Sequence, residues 1–325
     1  MGFGSEYNMS RIAGLIPRNN KGTPRLDAIM ITRLLGTKQI VRDGFFFTEN
    51  QQASAKFGSI QIVIDCSIFN ADDFSTPQKK LPDAQRVLLS IRKIGIVRTL
   101  EKINGRFCLA VFDTKTNILC LGRDRFGLST LFYTCFDGLI AFSSRAKGLL
   151  GLPGVSNELD HSFLKAAAAT NYRFLDTNNS LSPFRNIKQV PPGTIVRFDD
   201  KKMQTEQFAS LTIDEIRKSN KPTREEYIHL FNKAVSKRLR VAKKPIFSLS
   251  GGLDSSSVVS MAQQITQKKQ TAISTVHPNK LYDEQEEILD VIQAGKANWN
   301  SVTITNPNIF EKLTEIYGSH DYPLP

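Results

Sequence analysis

Pro245-Ile-Phe-Ser-Leu-Ser-Gly-Gly-Leu-Asp-Ser-Ser-Ser257 joins a short apolar run to a segment in which Val258, Met261, Ala262 and Ile265 recur at helical spacing. A strand, a glycine turn and a helix in that order make an anion cradle. Gly251 and Gly252 let the backbone turn tightly so that successive N–H groups converge, and the following helix presents its positive end to the same point. The hydroxyls of Ser250, Ser255 and Ser256 add donors. Asp254 puts a negative charge into an anion site, which is consistent only if a cation intervenes; a Mg²⁺ ion bridging its carboxylate and pyrophosphate oxygens meets that need. The alternative is an ordinary turn with Asp254 or Ser255 capping the helix. Five fixed residues placed between a strand and an amphipathic helix favour the cradle. No Gly-x-x-x-x-Gly-Lys-Ser/Thr sequence occurs, so this is not a kinase-type or GTPase-type loop.

Downstream, strand and helix patterns alternate: a strand over Thr271 to Val276, a helix marked by Ile288, Val291 and Ile292, a strand over Val302 to Thr305, and a helix marked by Phe310, Leu313 and Ile316. This predicts an α/β doubly wound parallel sheet, incomplete at three strands, over 222–325. Upstream the pattern is different. Ile60 to Ile64, Phe107 to Phe112, Ile118 to Leu121, Leu131 to Tyr133 and Ile195 to Phe198 read as short strands between turn signals. Helical spacing interrupts them at Leu26 to Leu35, Ala84 to Ile96 and Ser162 to Thr170. An α+β domain over 1–205 is expected, with a polar linker between Asp199 and Pro222 that holds no core strand.

The 325 residues carry 43 Lys+Arg against 31 Asp+Glu, a net charge of +12. The basic residues are scattered and are not interleaved with aromatics, so anionic small substrates explain the charge better than nucleic acid does. Cys66, Cys108, Cys120 and Cys135 lack metal-ligand spacing and are expected to be buried, reduced thiols. The opening Met1 to Ser10 has no apolar core of a signal peptide, and no stretch approaches the length of a membrane span. A cytoplasmic protein with no membrane and no nucleic-acid partner is the expectation.

The loop, with Arg238-Leu239 and Lys244-Pro245 before it, resembles the pyrophosphate loop of the glutamine-dependent asparagine synthetases and their relatives, the β-lactam synthetases and the lasso-peptide macrolactam synthetases. The resemblance continues upstream through Asn104-Gly-Arg-Phe107, Leu121-Gly-Arg-Asp-Arg-Phe-Gly127, Phe142-Ser-Ser-Arg-Ala-Lys-Gly-Leu149 and Val190-Pro-Pro-Gly193, in the family's order. It implies a glutaminase-like N-terminal domain of the N-terminal-nucleophile sandwich type, feeding an ATP-pyrophosphatase domain. There a carboxylate attacks the α-phosphorus of ATP, pyrophosphate leaves, and ammonia or an amine displaces AMP. It further implies that Ser250, Gly251, Gly252, Asp254, Ser255 and Ser256 hold pyrophosphate and Mg²⁺. Ser274 and Thr275 fall where relatives contact the adenosine, and Asp283-Glu284 matches a recurring acidic pair.

The glutaminase half departs from the pattern. The family's Met-Cys-Gly-Ile corresponds to Met9-Ser10-Arg11-Ile12-Ala13-Gly14, which puts Ser10 at the nucleophile position, exposed only if translation starts at Met9. The family's Asn-Gly-Glu-Ile-Tyr-Asn corresponds to Asp65-Cys66-Ser67-Ile68-Phe69-Asn70, so a carboxylate replaces an amide donor. Asn104 stands for an aspartate, and Arg42-Asp43-Gly44 only echoes an Arg-Gly-Pro-Asp loop. Lost glutaminase activity is expected. The family's later elements are not reached at His320-Asp321-Tyr322-Pro323, so a truncated product is expected, acting alone, as a homodimer or with a partner chain that supplies the remaining half. An amide synthase, an inactive scaffold subunit and, last, a nucleic-acid binder remain the competing readings.

Overall fold

Strands that are apolar on both faces need a cover on both sides, and the N-terminal strands are of this kind: all six residues of Ile12–Pro17 are buried. The computed structural model describes residues 11–18, 41–43, 45–74, 81–170, 179–199, 202–210, 213–218, 221–279, 283–295, 297–303, 308 and 310–314. The chain divides into two units between residues 212 and 213.

In the first unit the order is β1 (Ile12–Pro17), β2 (Val41–Asp43), β3 (Phe46–Thr48), β4 (Ser54–Phe57), β5 (Ile60–Ile68), α1 (Ala71–Phe74), α2 (Asp83–Ile94), α3 (Ile96–Lys102), β6 (Gly105–Asp113), β7 (Ile118–Arg123), β8 (Phe132–Phe136), β9 (Leu139–Ser143), α4 (Ala146–Leu149), α5 (His161–Thr170), β10 (Lys188–Gln189), β11 (Thr194–Phe198) and β12 (Met203–Gln207). They form two antiparallel six-stranded sheets, ordered β10-β8-β9-β1-β3-β2 and β12-β11-β7-β6-β5-β4. Ile12, Ile16, Phe46 and Phe142 of the first sheet meet Val63, Ala110, Phe112 and Leu121 of the second in one core. The opposite face of the second sheet, with Ile62, Ile64 and Leu109, packs under Ala84, Val87, Leu88 and Leu100 of α2 and α3. The outer face of the first packs against Ala146 and Leu149 of α4. This is the expected N-terminal-nucleophile-type α+β sandwich. Gly14 is required by it: a Cβ there would lie 2.4 Å from the Phe142 ring, inside the inter-sheet core.

Three local expectations change. The helix read as one over Ala84 to Ile96 is two, broken at Gly95, whose φ of 84° ends α2. The polar stretch after Asp199 contains β12, paired with β11 and exposed along its whole length, which explains why no apolar pattern announced it. It runs to Gln207, past the expected domain end at 205. Only Cys108 and Cys120 are buried; Cys66 is half-buried and Cys135 exposed, all four free. The helix expected over Leu26 to Leu35, Ser10, Gly44 and the terminal His320 to Pro325 lie outside the described residues.

The second unit contains α6 (Ile213–Lys218), α7 (Arg224–Val241), β13 (Ile246–Ser248), α8 (Leu253–Thr266), β14 (Gln270–Val276), α9 (Gln285–Gln293) and β15 (Ala297–Thr303). Thr223 and Glu226 close a reciprocal capping box at the start of α7. β13, β14 and β15 pair in parallel in that order, and α8 and α9 cross between them. Val259 of α8 and Ile288 of α9 share a core with Leu249, Ala272 and Ala297. Residues 310–314 are helical, as expected for the third helix. Among the described residues no helix is long and apolar enough to cross a membrane.

Candidate functional site

The end of β13 delivers the backbone to the loop, and Gly251 makes the turn with φ at 75°. A Cβ on Gly251 would sit 2.6 Å from the Glu287 Cβ and 3.0 Å from the Ile288 amide nitrogen, so α9 closes against the loop only where there is no side chain. Gly252 is the N-cap of α8 and supplies no side-chain cap. The first-turn N–H groups of Leu253, Asp254 and Ser255 therefore have no carbonyl of their own helix to meet, and they carry its positive end. The serines shape the turn. The Ser250 amide donates to Ser255 Oγ at 3.2 Å, Ser250 Oγ and Ser255 Oγ lie 3.1 Å apart, and Ser255 Oγ and Ser256 Oγ donate to the carbonyls of Gly252 and Gly251. Neither Asp254 nor Ser255 caps the helix. Asp254 is exposed in its first turn.

Ser274, expected near an adenosine, is buried. Its hydroxyl donates to the Leu249 carbonyl at 2.6 Å and accepts from Trp299 Nε1 at 2.9 Å. It ties together all three strands just before the loop. Thr275, the next residue, is exposed. Asp283 accepts from the His277 amide at 3.1 Å and fastens the chain leaving β14, while Glu284 is the N-cap of α9.

A second cluster lies at the inter-sheet face of the first unit. Asp65 on β5 and Arg106 on β6 face each other through two N–O contacts, Arg106 Nη2 to Oδ1 at 3.3 Å and Nη1 to Oδ2 at 3.4 Å, and Arg106 Nη1 also donates to Ser129 Oγ at 3.1 Å. The register sets this up: Asp65 pairs with Cys108, which makes Arg106 its diagonal neighbour on the same face. Cys66, on the opposite face, donates its thiol to Asp83 Oδ2 at 3.8 Å. Burial, with Asp83 and Asp65 nearby, pushes the Cys66 thiol well above its ordinary range, and burial raises the Asp83 carboxyl as well. The Cys66 shift favours the protonated thiol that this contact with Asp83 uses as its donor. Asn104 is exposed; its backbone amide donates to Asn70 Oδ1 at 2.7 Å, which fixes the turn into β6.

Below this cluster Asp124 is fully buried. Its carboxylate accepts from the amides of Phe107, Phe126, Leu128 and Ser129. Arg123 donates to the carbonyls of Ser129, Val190 and Gly127. The Arg-Asp pair therefore holds a loop together.

A profile of the glutamine amidotransferase domain matches residues 48–209 and one of asparagine synthase matches 226–324. The chain belongs to the asparagine synthetase family. Asparagine synthetase (glutamine-hydrolyzing) 3 of Bacillus subtilis is 27% identical over 68% of this chain and 34% of its own length. Putative asparagine synthetase (glutamine-hydrolyzing) 2 of Methanocaldococcus jannaschii is 24% identical over 80% of this chain and 51% of its own length. The chain thus spans about a third to a half of these relatives. Among solved structures, glutamine phosphoribosylpyrophosphate amidotransferase from B. subtilis, complexed with ADP and GMP, aligns over 92% of this chain and 76% of its own at 11% identity, with a TM-score of 0.39.

Within this asparagine synthetase family chain, the loop residues Ser250 to Ser256 come together as one turn, with Ser274 beneath it. Asp65 and Cys66 point to opposite faces of β5, toward Arg106 and Asp83, while the Asn104 amide meets Asn70. Arg106 is the residue that sequence reasoning passed over. Its signal was present, a cation two residues before Cys108, yet it needed the β5–β6 register to be read. Because Asp65 and Arg106 are 10% and 19% exposed, Arg106→Met takes the cation from a largely buried carboxylate and is expected to cost about 2–3 kcal/mol. Asp65→Asn combined with Arg106→Met recovers most of that loss. A double-mutant cycle by chemical denaturation showing simple additivity would mean the pair does not interact.

Proposed function

We propose that the chain carries out ATP-dependent, AMP-forming activation of a carboxylate for attack by ammonia or an amine, with the glutaminase reaction lost. The observation that supports the first part is the Gly251 turn, which aims the uncapped start of α8 at one point next to an exposed carboxylate. The donor set fits a Mg²⁺-bound polyphosphate: backbone N–H groups would meet the phosphate oxygens, and Asp254 would supply a carboxylate to the metal. When bound, Mg·ATP supplies the activating group and a stabilised pyrophosphate leaving group. Gly251 and Gly252 let the backbone approach it, Ser250 and Ser255 hold the turn in shape, and Thr275 stands exposed at the strand end for the nucleoside side.

The loss of glutaminase activity is supported by Asp65, whose carboxylate is engaged by Arg106 where the family pattern places an amide donor. The amine then comes from solution or belongs to the substrate, and reduced, unpaired thiols suit a cytoplasmic setting.

Asp254→Ala is expected to weaken Mg·ATP binding at least about tenfold, or about 1.4 kcal/mol, while the fold survives. Titration calorimetry of the full chain, with and without Mg²⁺, reads it. Equal affinity of the variant and the parent protein would sink the nucleotide reading. Tight binding with no AMP released from any carboxylate and ammonia would favour the alternative, an inactive subunit that works with a partner chain.

A further inference from the structure

Away from both clusters, a cavity of about 290 Å³ opens at the edge of the first sheet, lined by Tyr133, Cys135, Val155, Lys188 and Met203 among others. Its origin is a length mismatch. β10 pairs with β8 only at Lys188–Tyr133 and Gln189–Phe132, so Thr134 to Phe136 run on beyond the end of β10 and form the floor. Lys188 stands directly opposite Tyr133, and directly opposed side chains share a face. Cys135, two residues further along β8, shares it too. An ammonium, a phenol hydroxyl and a thiol thus line one wall. Tyr133 donates its hydroxyl to Met203 Sδ at 3.7 Å, which keeps the ring upright between the wall and an exposed methionine.

The charge balance of the cavity favours an anion. Arg185 is neutralised by Glu158 at 2.6 Å. Among the described residues no carboxylate pairs with the Lys188 ammonium. Burial raises the Cys135 thiol above its ordinary range, and the positive charge of Arg18 partly opposes that rise. Asp137, beside Gly154 at the rim, is the opposing charge. Apolar surface comes from Phe136, Val155 and Met203, and the size admits a ligand of only a few heavy atoms.

We infer that this cavity is a binding site for a small organic carboxylate, with its head group on Lys188 and the Asn186 amide and its short apolar body against Val155 and Met203. It is separate from the loop at Ser250 to Ser256 and stands whether or not the loop binds nucleotide. Cys135 provides the readout, because Cys108 and Cys120 are buried and Cys66 is half-buried. Labelling of Cys135 in the full chain by iodoacetate and by iodoacetamide is compared, by peptide mass spectrometry, with the same pair of reagents on N-acetylcysteine. The anionic reagent is expected to be favoured at least about threefold relative to that reference. Lys188→Gln returns the ratio to the reference. Butyrate is expected to slow iodoacetamide labelling saturably, and butyramide is expected to leave it unchanged. A ratio equal to that of N-acetylcysteine overturns the inference. So does a raised ratio without saturable protection by butyrate, which shows a surface field and no site. If Lys188→Gln does not fold, the butyrate and butyramide pair on the unmodified protein decides.

Discussion

Asp124→Ala will destabilise the N-terminal unit by about 4 kcal/mol, because four amides lose one shared acceptor and at least two of them, Phe107 and Ser129, are buried where water does not replace it. Asp124→Asn, which keeps the shape but turns an N–H₂ toward donors, is expected to lose about half as much. The chain offers a clean way to assign the loss. Its one tryptophan is Trp299, in the second unit. Urea unfolding followed by far-ultraviolet circular dichroism should shift, and the Trp299 fluorescence transition should not. A loss below about 1 kcal/mol would mean that the four bonds are not the anchor of the loop.

The largest expected effect on binding is at Gly251. Gly251→Val places a β-branched residue at a φ of 75° and forces its Cβ into the backbone of α9 at Ile288. The loop has to move, and the first-turn amides of α8 move with it. Mg·ATP affinity is expected to fall by at least about a hundredfold, or about 2.7 kcal/mol. Gly252→Ala is the control, since its φ is −64° and the nearest atom to an added Cβ is Ser250 Oγ at 3.4 Å. It should bind within about threefold of the parent protein, or about 0.65 kcal/mol. If Gly251→Val binds as the parent does, the nucleotide site is elsewhere. Trp299 reports here too, through its bond to Ser274 beneath the loop.

The turn at Ser250 to Ser256 was legible because its determinants are adjacent: two glycines, hydroxyls and a helix start within seven residues. The sandwich strands were legible because a strand buried on one or both faces leaves period-two or continuous apolar runs, as at Ile60 to Ile64 and Phe107 to Phe112. β12 left no such trace, being exposed throughout. Gly95 breaks a helix whose apolar spacing runs through it, and spacing alone does not show a φ of 84°. The Asp65–Arg106 pair was hidden for a different reason. Its members are 41 residues apart and meet only through a register, as do Ser274 and Trp299 across β14 and β15. The resemblance supplied candidate positions; it did not say that Ser274 is committed to strand carbonyl and indole, or that Asp124 serves a loop.

The Asp65–Arg106 pair also restricts the histories open to this protein. Either partner changed alone leaves a largely buried charge facing the wrong neighbour, a step that costs a sizeable part of the stability of a typical domain. An amide at position 65 is therefore not a single neutral substitution; it requires a compensating change at 106, at the same time or after a period of weakened folding. The two positions are therefore coupled: a neutral side chain is tolerated at either one at little cost only when the other changes with it, so protein stability ties together two residues that lie far apart in the sequence.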